Sequence, residues 1–202
     1  MSLYALKPRF QTALGGIEAQ LVERGIKADW LTASAVAAAA IAAALHSLGW
    51  GNQWLALWLI PPLALIRLTL NALDGQVARR SGTARPWGMV LNELGDRLGD
   101  LLFLAPLAVV GPVDSRLGLV ALCAMLLASL TGVLAAALGA PRLTSGVFAK
   151  ADRMVALALL YALALTLANG WPLTLLFWLI LGGSIITLAQ RVARLRVVTG
   201  ER

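Results

Sequence analysis

Six apolar segments, at about 31–49, 54–78, 88–110, 116–138, 148–168 and 172–190, leave this chain very few architectures. Crossing a hydrocarbon core about 30 Å thick takes roughly 20 helical residues. In lipid each backbone N–H and C=O must be satisfied internally, and a helix does this within one segment. Composition agrees, with 59% of the 202 residues hydrophobic, 13% charged and a mean hydropathy of +0.80. A soluble domain of this length does not carry so apolar a surface. The expected fold is an all-α integral membrane protein with six transmembrane helices, joined by short polar or Gly/Pro-containing turns.

Ahead of the spans, residues 1–27 place Leu6, Phe10, Leu14, Ile17 and Leu21 at steps of three or four among charged and polar neighbours. This spacing predicts one amphipathic helix from Pro8 to Gly25, suited to the membrane interface. The alternative is a helix packed on the membrane domain, residues 28–202. Charges run through the first thirty residues, so no cleavable signal peptide is expected. The single cysteine, Cys123, lies in an apolar run and is expected to be a passive core residue.

Lysine and arginine set the orientation, because cytoplasmic loops carry their excess. They gather at Lys7, Arg9, Arg24 and Lys27, at Arg79, Arg80 and Arg85, at Arg142 and Lys150, and at Arg191, Arg194, Arg196 and Arg202. The opposite loops hold little besides Arg116. Both termini and the 71–100 stretch are therefore expected on the cytoplasmic side. The net charge of +7 is accounted for by this topology and by anionic headgroups, so no nucleic-acid partner is implied. Trp30, Trp50, Trp54, Trp87 and Trp171 fall near span ends, as interfacial anchors do.

Residues 71–100 break the apolar pattern. On the second span Arg67, Asn71, Asp74 and Ala78 share one helical face; on the third, Gly88, Asn92, Asp96 and Asp100 form a strict i+4 row. A short loop makes the two spans antiparallel neighbours, so Asn71, Asp74, Asn92 and Asp96 are expected to converge at their cytoplasmic ends. Two carboxylates and two amide oxygens make an all-oxygen set suited to Mg²⁺, Mn²⁺ or Ca²⁺. Arg67 and Asp100 lie about one turn deeper, where a lone charge costs about 2.5–3.5 kcal/mol. They are expected to form a buried structural ion pair.

These residues carry a resemblance. The spacing from Asn71 through Asp74, Gly75, Ala78, Arg79, Gly88 and Asn92 to Asp96 is similar to the D-x2-D-G-x2-A-R-x8-G-x3-D-x3-D signature of the CDP-alcohol phosphotransferase family. The six spans and the preceding interfacial helix also resemble that family. The resemblance implies a divalent metal, Mg²⁺ or Mn²⁺, held at Asn71, Asp74, Asn92 and Asp96. It also implies Asp96 as general base, and CDP seated by Asp74, Gly75, Ala78, Arg79 and Gly88. Asparagine replaces aspartate at 71 and 92, so either Glu93 restores part of the charge as a further metal donor or the site is a relic. Around the fifth span, Arg142, Lys150 and Arg153 stand where members using phosphorylated acceptors carry basic residues, and are the expected acceptor-binding set.

The reading that follows is an enzyme of phospholipid synthesis in a bacterial inner membrane. It would transfer a phosphatidyl group from CDP-diacylglycerol to a polar alcohol acceptor, releasing CMP, as a homodimer by family resemblance. The alternatives are a catalytically weakened binding subunit and a small transporter. A transporter would place polar residues on both sides of the midplane, whereas here they cluster at one end.

Overall fold

Eight α-helices and no strand are found among residues 7–47, 53–143 and 146–200, which the computed structural model of the chain describes. They are α1 (Lys7–Ala13), α2 (Gly15–Glu23), α3 (Ala28–Ser47), α4 (Gln53–Arg80), α5 (Pro86–Val109), α6 (Ser115–Ala137), α7 (Lys150–Thr166) and α8 (Trp171–Val198). The last six coincide with the six apolar segments. By length and composition three of them, Ala28–Ser47, Ser115–Ala137 and Trp171–Val197, are apolar enough to cross a membrane. In α4, α5 and α7 the apolar background is interrupted by charged residues, Arg67 and Asp74, Asp96 to Asp100, and Lys150 to Arg153.

The chain divides into two compact units, Ala5–Pro106 and Leu107–Arg202. In the first, α3 packs along α4, and α1 and α2 lie against α4. The N-terminal segment is two short helices rather than one. The break falls at Leu14, just before Gly15 and Gly16, which weaken a helix. Leu14 is buried with Leu31, Leu73 and Val77, and Leu21, Val22 and Leu70 pack around them. Phe10 and Ile17, from the same predicted stripe, are exposed. The segment thus splits its apolar residues between the protein and its surroundings, while Leu6 lies outside the described residues. Gly25 ends α2 at φ 68°, with Ile26 N–H donating to Leu21 O at 2.9 Å, a left-handed helix stop that glycine permits.

In the second unit α6 and α7 pack against α8. Here α6 turns Leu119, Val120, Leu127 and Leu130 outward. So many exposed apolar side chains suit a lipid solvent rather than water. Cys123 is on the same helix and is exposed, which corrects its expected place in the core. Trp30, Trp87 and Trp171 are exposed near helix starts, while Trp50 and the side chain of Trp54 lie outside the described residues. His46 is buried near the end of α3.

Candidate active site

The first unit builds the site from three helices. Gly82, at φ 67°, ends α4, and Thr83 N–H closes the turn onto Ala78 O at 3.0 Å. Pro86 opens α5, where its fixed φ suits a first turn. Only a few residues therefore separate the two signature rows, and the second row is fixed one turn into α5. From α3, Asp29 pairs with Arg85. A Cβ at Gly95 would lie 3.0 Å from Thr32 Cγ2 and 3.3 Å from Val36 Cγ2, so α3 and α5 meet closely there.

Asp74 is the hub, with only 3% of its surface exposed. Its Oδ2 accepts from Thr32 Oγ1 at 2.9 Å and from Asn92 Nδ2 at 2.8 Å, and its Oδ1 accepts from Gly75 N at 2.6 Å. One carboxylate thus joins α3, α4 and α5. Its neighbours Leu73 and Val77 belong to the buried cluster around Leu14, so apolar packing backs the face that carries it. Asn71 is half-buried, and its amide nitrogen is buried with no hydrogen-bond partner. Arg79 folds back over Gly75, where a Cβ would stand 3.3 Å from its Nη1. Ala78 is half-buried one turn beyond Asp74. At Gly88 a Cβ would find only ordinary contacts, 3.6 Å to Arg85 Cγ and 3.9 Å to Asp29 Oδ1. The fold itself does not require glycine there.

Whether these residues suit a divalent cation follows from their donors. Asp74 and Asp96 each carry a carboxylate, and Asn71 carries an amide whose buried nitrogen has no hydrogen-bond partner. Among the described residues no three His, Cys, Asp or Glu side chains form a metal-holding group. A divalent cation here would therefore need amide as well as carboxylate oxygens.

Asp96 is buried. Its Oδ2 lies 3.7 Å from Arg97 Nη2, and Arg97 Nε lies 3.4 Å from Glu93 Oε1. Glu93 is thus aimed at a guanidinium that also approaches Asp96, and the charge it adds is matched by Arg97. Beneath them Arg67 Nη2 lies 2.9 Å from Asp100 Oδ1, with side-chain exposures of 1% and 0%. Arg67 also donates to Asp96 O at 2.9 Å and stands over the Phe103 ring, 5.8 Å from its centroid. Gly99 makes room for this pair, since a Cβ there would fall 2.5 Å from Arg67 Nε. Gly99→Ala must push Arg67 off Asp100 or spread α4 from α5. Overpacking of this kind destabilises by about 1–3 kcal/mol, which thermal unfolding in detergent will read as a lower midpoint.

The expected acceptor residues lie in the second unit. Arg142 is exposed in the loop before α7, Lys150 is half-buried at the start of that helix, and Arg153 is buried. Arg153 Nη1 donates to Phe148 O at 3.3 Å, and Asp152 accepts from Ala149 N at 2.8 Å. Arg191, read with the tail cluster as a headgroup contact, turns inward and donates to Ala128 O on α6. Thr32 and Arg97 were not among the sequence candidates. Thr32 lies 42 positions from its partner Asp74, and no local pattern announces such a contact. The i+4 spacing of Glu93 and Arg97 was a usable signal.

No family model matches the chain. It is 31% identical over 199 residues to the inner membrane protein YnbA of Escherichia coli (strain K12), covering 98% of this chain and 96% of that protein. It is 26% identical over 211 residues to the phosphatidylinositol phosphate synthase of Streptomyces avermitilis, covering 95% and 81%. Among solved structures, the Mycobacterium tuberculosis phosphatidylinositol phosphate synthase PgsA1 with CDP-DAG bound superposes with a TM-score of 0.71 at 21% identity, over 88% of this chain and 90% of that one. The same enzyme in complex with manganese and citrate gives 0.71 at 23% identity, over 88% and 86%. The fold of the chain is the fold of those structures.

Proposed function

Since the chain belongs to the CDP-alcohol phosphotransferase family, we propose that it transfers a phosphatidyl group from CDP-diacylglycerol to a polar alcohol, with release of CMP. The observation that carries this reading is the Asn92–Asp74 hydrogen bond of 2.8 Å, which joins the two halves of the signature in one buried site. The solved neighbour bound to CDP-DAG and the phosphatidylinositol phosphate synthase relative support the donor. α3 to α8 are then six membrane spans, with α1 and α2 at the interface and both termini cytoplasmic, in a bacterial inner membrane. The inner-membrane relative and the three apolar helices support this placement. By family resemblance the enzyme works as a homodimer.

In the reaction the acceptor hydroxyl oxygen bonds to the lipid-side phosphorus, the pyrophosphate P–O bond breaks, and CMP departs with its electron pair. Asp96 takes the acceptor proton as the oxygen attacks. Arg79, folded over Gly75, supplies positive charge to the pyrophosphate, and Ala78 and Gly88 leave the helices approachable. Asp74, Asp96 and the Asn71 amide, with Asn92 as a further oxygen donor, would hold a divalent cation, Mg²⁺ or Mn²⁺. When bound, it supplies charge neutralisation to the donor phosphates. Manganese in the PgsA1 structure supports this choice of cofactor. Arg153, Lys150 and Arg142 would hold a phosphate carried by the acceptor, a task that suits guanidinium and ammonium groups.

The test is CMP release from CDP-diacylglycerol by the purified protein, with Mg²⁺ or Mn²⁺ and a panel of acceptors that includes phosphorylated alcohols. Turnover that disappears with EDTA is expected. An absence of CMP under every combination would leave the weakened-paralogue reading in its place.

A further inference from the structure

We propose that Asn92 is a positioning residue that stands in for a cation at Asp74, so that the junction of α3, α4 and α5 is assembled before any metal binds. The proposal deepens the phosphatidyl-transfer reading, on which it rests only for the claim that a cation comes to Asp74.

An ionised carboxylate only accepts hydrogen bonds, so an amide at 2.8 Å from Asp74 Oδ2 must turn its nitrogen toward it. An aspartate at 92 in the same place would set two carboxylates at hydrogen-bond distance, and these repel unless a cation or a proton stands between them. Asparagine turns that repulsion into attraction without help. Thr32 and the Gly75 N–H donate to the same carboxylate, so donors reach it from three helices. Asp74 is only 3% exposed, so water cannot readily replace a missing donor, and an unmatched charge there would be strongly disfavoured. At the other end of the site Arg97 approaches both Asp96 and Glu93. Both ends of the site are therefore attended by the protein's own donors. In a site of four aspartates, by contrast, a cation or a shared proton would be needed between the facing carboxylates.

The test reads assembly rather than turnover. The full chain and its Asn92→Asp variant, purified in detergent, are unfolded thermally in EDTA and in millimolar Mn²⁺. Mn²⁺ bound to the folded parent raises its midpoint by mass action alone, so the parent is expected to shift by less than the variant. Asn92→Asp is expected to melt on the order of 5 °C lower in EDTA and to recover in Mn²⁺, with Mn²⁺ affinity raised roughly tenfold by the added ligand charge. A metal-dependent shift in the parent as large as in the variant would overturn the proposal, as would an Asn92→Asp variant that is indifferent to EDTA. If that variant does not fold, Asn92→Ala decides: it removes the donor without adding charge, and its midpoint should fall equally with and without Mn²⁺. An unchanged midpoint in Asn92→Ala would also overturn the proposal. CMP release by the parent chain, measured separately, bears on the reaction and not on this result.

Discussion

Asp96→Asn is expected to lower CMP release by about 10²- to 10⁴-fold while leaving the midpoint of thermal unfolding nearly unchanged. The substitution keeps the shape of the side chain and the backbone carbonyl that Arg67 engages at 2.9 Å. It removes only the ability to take a proton and one charge that would face a cation. Arg97, 3.7 Å from the Asp96 carboxylate, still has Glu93 at 3.4 Å, so no guanidinium is left unmatched. Single-turnover measurement with a short-chain donor separates the effect on chemistry from an effect on lipid delivery. Activity that survives would remove Asp96 as the base.

The second large effect concerns stability. Arg67→Met alone, or Asp100→Leu alone, leaves the partner charged and almost fully buried, with side-chain exposures of 0% for Asp100 and 1% for Arg67. Breaking such a pair from one side destabilises by about 3–5 kcal/mol, whereas replacing both members with apolar groups is often neutral. The double variant Arg67→Met, Asp100→Leu should therefore unfold at a higher temperature than either single variant. Methionine keeps a contact with the Phe103 ring that the guanidinium now makes. The double-mutant cycle measures the coupling directly, and additive losses would mean that the two groups do not act as a pair.

Sequence reasoning reached furthest where the environment makes polarity conspicuous. Arg67 and Asp100 stand out because charge is disfavoured in an apolar span, and helical spacing places them, with Asp74 and Asp96, on faces that a short turn folds together. The structure sets the first two 2.9 Å apart. What spacing does not carry is the partner brought in from elsewhere in the chain. Thr32 stands on α3 with no local pattern to mark it, yet it donates to Asp74. Nor does spacing say which of several charges will pair. Glu93 is expected as a further metal donor, and Arg97 lies within reach of both Glu93 and Asp96. At the N-terminus, the apolar period of three to four described a single helix. The burial of Leu14 in the cluster on α4 is a tertiary contact, and the chain breaks at that point.

The hydrogen bond from Arg67 to Asp96 O has a mechanical consequence. A guanidinium that grips the main chain of α5 at the residue bearing the base acts as a dowel between two helices: α5 cannot rotate about its own axis, or slide by part of a turn, without shearing that bond. The bearing of the Asp96 carboxylate is thus inherited from α4, and wear at Asp100 or Gly99 would register as a misaimed base before it registered as an unfolded protein.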